Sequence, residues 1–148
     1  MAAMSEIVVP DIAGALVGSR CWGLAKTEHG IQLASHGGAI WPAGAPLEAS
    51  CDKRKRHVPP GEHCTCGVYA LSEQGGYPYY AYDGPGYAVF GQVYLWGDVI
   101  RGTRGYRAHF AYPKALYLAY KDWRFAQPLR DSYGVPVRLH NPYTKAAD

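Results

Sequence analysis

Five residues able to bind a soft metal, Cys51, His57, His63, Cys64 and Cys66, fall between positions 51 and 66. Zinc takes thiolate and imidazole donors in a tetrahedron, and the spacing C-x5-H-x6-C-x-C supplies four of them as Cys51, His57, Cys64 and Cys66. On a strand, positions 64 and 66 would project from one face and reach a single ion. Cys51 and His57 would then close the site from the preceding loop, with His63 a chemically equivalent neighbour able to stand in for His57. The plainer alternative makes Cys64 and Cys66 small apolar core residues and leaves both histidines solvated. Cys21, next to Trp22 and outside the cluster, reads as core.

A centre with four protein ligands has no open position for water, so zinc here would be structural. Metal-assisted deamination would need an H-x-E followed by P-C-x-x-C, and 59-PPGEHCTC-66 has neither. The expected cofactor is one structural Zn2+ that holds a loop in place.

The elements that must position these residues are mostly strands. With 13 Tyr, 18 Gly and 11 Pro in 148 residues, the chain favours short strands and tight turns over long helices. The segments 20-RCWGLA-25 and 31-IQLAS-35 read as a hairpin, and 40-IWPAGAPLEASC-51, broken by Pro42 and Pro46, as a surface crossing that leads to the cysteines. The segment 64-CTCGVYAL-71 fits a strand or one helical turn, with Gly67 turning the chain into Val68.

The clearest strand is 89-VFGQVYLWGDVI-100, apolar on both faces and therefore central or part of a barrel wall. It pairs with 106-YRAHFAY-112 across the arginine-bearing turn 101-RGTRG-105. Asp122 is placed to cap a short helix over 123–127, Gly134 to end its continuation, and 135-VPVRL-139 to form a last strand. The expected fold is α+β and β-rich: an antiparallel twisted sheet or small barrel with a C-terminal helix and a zinc loop. Residues 1–148 form one domain, the first 18 or so an arm or first strand.

Two features point to a partner. The run Lys53, Arg54, Lys55, Arg56 puts four cations beside the candidate metal, and Arg104 and Arg107, with Arg101, would extend that surface if the fold brings them to the same side. Trp41 or Trp96, with Tyr79 and Tyr80 from 77-YPYYAY-82, could line a slot for a planar ligand. An ordinary solvated loop and an ordinary aromatic core are the competing readings of these two features.

Net charge is +3, hydrophobic residues make up 48% and charged residues 18%, which excludes a disordered chain. The apolar run 7-IVVPDIAGALVG-18 contains Pro10 and Asp11 and is too short for a membrane span. A cytoplasmic setting, without membrane partners, is therefore expected, and thiols clustered in a reducing compartment read as metal ligands rather than disulfides.

The motifs 18-GSRCW-22, 41-WPAG-44, 64-CTCGVYA-70, 95-LWGDV-99 and 105-GYRA-108 together resemble short uncharacterised proteins of actinobacteria and their phages. In such relatives a Cys and a His precede the C-x-C, which implies the metal reading with Cys51 and His57 as the matching positions. The resemblance implies a bacterial or phage origin, and the host cytoplasm for a phage product. It carries no activity, and the loop 75-GGYPYYAYDGPG-86 departs from it.

No phosphate loop, nucleophile elbow or H-E-x-x-H motif is present. The leading expectation is a non-catalytic, zinc-stabilised binding protein that recognises a host protein or nucleic acid through the basic loop and tyrosine-rich rim. An enzyme acting on nucleotides or nucleic acid, using His109, Arg107 or Asp98, is one alternative. A structural or self-assembling phage protein is the other.

Overall fold

A computed structural model of the chain describes residues 14–51, 57–72 and 88–140. Seven strands form one sheet: β1 (Leu16–Thr27), β2 (Gly30–Ala34), β3 (Leu47–Glu48), β4 (Val68–Leu71), β5 (Val89–Arg101), β6 (Gly105–Ala119) and β7 (Val137–His140). A 3-10 turn over Tyr120–Phe125 and helix α1 (Ala126–Tyr133) lie between β6 and β7. Among the described residues no helix is long and apolar enough to cross a membrane.

β5 is central, as its two apolar faces require. It pairs antiparallel with β1 from Leu16↔Leu95 to Trp22↔Val89, and with β6 from Val89↔Leu118 to Arg101↔Tyr106. β4 pairs with β6 and touches β1 at Ser19↔Leu71, so β1, β5, β6 and β4 form a closed circuit of pairings like a small barrel. β1 runs on past this circuit to pair with β2 across a turn at Glu28 and His29, the expected hairpin.

Three sequence expectations need correction. The sheet is mixed, because β7 pairs parallel with the far end of β6 after the helical crossover. β6 does not end at Tyr112 but runs to Ala119, with Pro113 inside it; a register shift between Gln92 and Val93 on β5 accommodates the missing N–H. Asp122 caps nothing: the chain passes from β6 straight into the 3-10 turn, Asp122 lies within it at φ −103, ψ 21, and α1 starts beyond its reach. Gly134 does end α1, in the left-handed conformation at φ 68 with its N–H on the Arg130 carbonyl.

The core is built from Trp22, Leu33, Trp41, Val93, Leu95, Leu116 and Leu118, which β1, β2, β5, β6 and the crossing after β2 turn inward, with Leu129 from α1. A buried polar chain locks α1 to this layer. Tyr133 Oη accepts from Leu33 N at 2.8 Å and donates to the Trp41 carbonyl at 2.7 Å, and Tyr112 Oη donates to the Tyr133 carbonyl at 2.8 Å. Each of these groups would cost about 1–3 kcal/mol if buried without a partner, so the network fixes where the helix sits.

Candidate metal centre

Two arms hanging on the same strand assemble the site. The crossing 40–51 is pinned to β6 through Leu47↔Ala111, Glu48↔Phe110 and a bond from Ala49 N to the His109 carbonyl at 2.8 Å, which delivers Cys51. The loop 57–67 packs Pro59 and Pro60 inward and enters β4, whose Val68 pairs with Ala108 of β6, which delivers His57, Cys64 and Cys66.

The donor atoms of Cys51, His57, Cys64 and Cys66 all lie within 4.8 Å of one another. Cys51 Sγ and Cys64 Sγ are 3.5 Å apart, and His57 Nε2 and Cys66 Sγ are 3.2 Å apart. With Zn–S near 2.3 Å, a tetrahedral site has edges of roughly 3.8 Å, so the observed separations bracket the required ones. The set fits a structural zinc ion as Cys3His. His63 is exposed and is not one of the four.

Cys64 and Cys66 do not sit on a strand, as the C-x-C spacing allows; β4 begins only at Val68. A turn closed by Cys64 N on the Gly61 carbonyl at 3.2 Å brings the sulfurs together. Gly61 has no room for a side chain: a Cβ there would lie 2.9 Å from His57 Nε2 and 3.3 Å from Cys64 Cβ. Gly67 has φ +126 and faces Arg107 and Pro60, a conformation that side-chain-bearing residues rarely adopt.

Arg107 of β6 fastens the loop from behind. Its Nη1 donates to the carbonyls of Cys66 at 2.7 Å and Gly61 at 3.3 Å, and Nη2 also donates to Gly61 at 3.3 Å. Three thiolates against a divalent ion leave one negative charge, and the guanidinium offsets it. Gly61 N also donates to Cys66 Sγ at 3.3 Å, the kind of bond that orients a ligating thiolate. The Cys66 backbone and the Cys51 thiol pull Cys64 down to about 7, whereas burial pushes Cys66 up.

Beyond Arg107 lies a cavity of about 600 Å3 between β1, β4 and the β5–β6 turn, with Arg20, Arg104, Arg107, Tyr69 and Tyr106 in its wall. Arg104 and Arg107 both line this cavity, while Arg101 stands nearby with its guanidinium 5.5 Å from the Tyr106 ring. Arg20, which sequence reasoning passed over, is the hub: it donates to the Tyr69 carbonyl at 2.8 Å and to Ser35 Oγ at 3.2 Å, and lies 4.8 Å from the Trp41 ring. The signal was its place inside 18-GSRCW-22. Burial pushes Cys21, also in this wall, up to about 12, so it is no nucleophile at neutral pH.

Of the two tryptophans expected at an aromatic slot, Trp41 is unavailable to a ligand. Trp41 is fully buried, edge-on to Trp22 at 5.4 Å with Nε1 on Ser35 Oγ, because Trp41 N bonds back to Leu33 and turns the ring into the core. Trp96 is half-buried and stacks on Phe110 at 5.8 Å. Among the described residues the exposed large aromatics are Tyr69, Tyr120 and Trp123. Lys53, Arg54, Lys55, Arg56, Tyr79 and Tyr80 lie outside the described residues. His109 Nε2 lies 3.2 Å from a Glu48 carboxylate oxygen on the edge of the sheet.

No protein-family model, curated protein or solved structure matches the chain.

Proposed function

We propose that this chain is a non-catalytic binding domain in which a structural zinc ion fixes one rim of a basic surface, and that the partner of this surface is nucleic acid. The carrying observation is the closed Cys3His set, four protein donors within 4.8 Å, tied through Arg107 to a wall bearing two further arginines. A filled tetrahedron offers no site for an activated water, and the half-buried Cys21, its thiol pushed up, offers no ready thiolate, so the chemistry favoured is recognition. The actinobacterial or phage origin suggested by the motifs, and a reducing host cytoplasm, belong to the same proposal.

Two measurements on one preparation test it. Protein purified without added metal should carry close to one equivalent of zinc, and it should retain mixed DNA or RNA at low salt and release it as salt rises. Less than a tenth of an equivalent with all four cysteines freely reactive sinks the metal half, and no retention at low salt sinks the partner half. A protein partner is the second reading. It is favoured by the exposure of Tyr120 (60%) and Trp123 (65%) on the 3-10 turn, where large aromatics otherwise lack cover.

A further inference from the structure

We infer that the cavity behind the metal loop binds a nucleotide unit, free or within a single strand, with its phosphate against Arg104 and its base against the apolar wall. The inference rests on the binding-domain reading and names the ligand class. At about 600 Å3 the cavity lies within the ~300–1,000 Å3 range of small-molecule sites.

The lining combines charge with apolar surface. It includes Arg20, Arg104 and Arg107 and no carboxylate, and neither Arg104 nor Arg107 is paired with an acid among the described residues. Arg107 offsets the negative charge of a zinc-loaded centre, so the cation offered to a ligand is the exposed Arg104. The remainder is largely apolar, with Leu71, Ile100, Tyr69 and Tyr106 among its residues. A ligand with an anionic end and a flat apolar body matches both parts, and a nucleotide has this form.

The turn that carries the cation is preorganised. Ser72 N donates to the Arg104 carbonyl at 3.0 Å, and Gly102 N donates to the Gly105 carbonyl at 2.7 Å, so the turn that carries the exposed Arg104 side chain is held at both ends. Fixing the backbone beforehand reduces the ordering cost of gripping a phosphate.

The test uses full-length protein whose zinc content is measured in each sample, titrated with a fluorescent ten-residue oligothymidylate at low salt. Arg104→Glu should weaken binding at least tenfold, and Tyr106→Ala severalfold. Arg138→Glu, on β7 at the other end of the sheet, should stay within about twofold. With one or two phosphates gripped, affinity should fall no more than roughly sevenfold between 50 and 200 mM salt.

Competition by a nucleoside monophosphate assigns a free nucleotide as the source, and binding of the strand without such competition assigns the strand. Both uphold the cavity when Arg104 dependence holds. No binding by the zinc-loaded wild type, or equal loss in Arg104→Glu and Arg138→Glu, overturns it. Arg104-dependent binding by protein that lacks zinc would leave the cavity standing and defeat only the metal reading.

Discussion

Arg107 Nη1 lies 2.7 Å from the Cys66 carbonyl, so the strand that carries both arms of the metal loop also clamps its last ligand from behind. The contact orients the Cys66 backbone without touching the ion. Removing such outer partners typically costs about 10–100-fold in metal affinity. Arg107→Ala should show a loss of that size in chelator competition at neutral pH. Arg107→Lys should recover only part of it, since an ammonium cannot span the Gly61 and Cys66 carbonyls as a planar fork does. Unchanged zinc affinity in Arg107→Ala would refute this account of the clamp.

The loop has little beyond the Arg107 clamp to hold it without the ion. Apart from Pro59 and Pro60, its described residues are half-buried or exposed, and its internal bonds are few and centred on Gly61. Metal binding then becomes folding energy. Cys66→Ser and Cys64→Ser should each lose the zinc and lower the melting temperature by more than about 10 °C, whereas Cys21→Ala should keep one equivalent. A Cys66→Ser protein that melts with the wild type would remove the structural role.

Much of this arrangement is legible in the sequence, for physical reasons that can be named. The four ligands are readable because thiol and imidazole types are scarce and here they cluster, and β5 because both its faces are apolar. The second half of β6 is hidden by Pro113, whose cost is absorbed by a bulge at the neighbouring Lys114 that no local pattern reveals. For Trp41 the sequence leaves slot and core both open, because a ring flanked by proline also looks like surface; only the long-range bonds to Leu33 and Tyr133 turn it inward.

Arg20 was passed over because its role depends on three distant segments meeting. Its guanidinium joins 18-GSRCW-22 to the Trp41 ring and to the Tyr69 carbonyl, while Arg107 joins 105-GYRA-108 to the C-x-C, so four of the sequence motifs form one physical network.

Alkaline pH should weaken the fold in a defined window. Burial raises Cys21 from 9.0 to about 12 and Tyr133 from 10.0 to about 12. Both groups are neutral when protonated, so the unfolded chain gives up these protons first as pH rises. Their contribution is therefore intact below pH 9 and declines between 9 and 12. Denaturant unfolding of the zinc-loaded protein should give a midpoint that falls above pH 9. Cys21→Ala should make the decline shallower and start nearer 10. A decline of the same onset and slope in that variant would contradict the assignment.

The sharpest test of the centre changes no ligand. A methyl group at position 61 would sit 2.9 Å from His57 Nε2, closer than real Cβ contacts come, and 3.3 Å from Cys64 Cβ. One of two ligands must then move, whereas at Gly67 the penalty is backbone strain at φ +126 and falls on folding instead. Gly61→Ala should therefore lose zinc affinity out of proportion to stability, and Gly67→Ala should lose about 1–3 kcal/mol while holding a full equivalent of metal. Chelator competition and denaturant unfolding on the two variants separate these effects. Equal zinc affinity in both variants would mean that His57 does not occupy the fourth position.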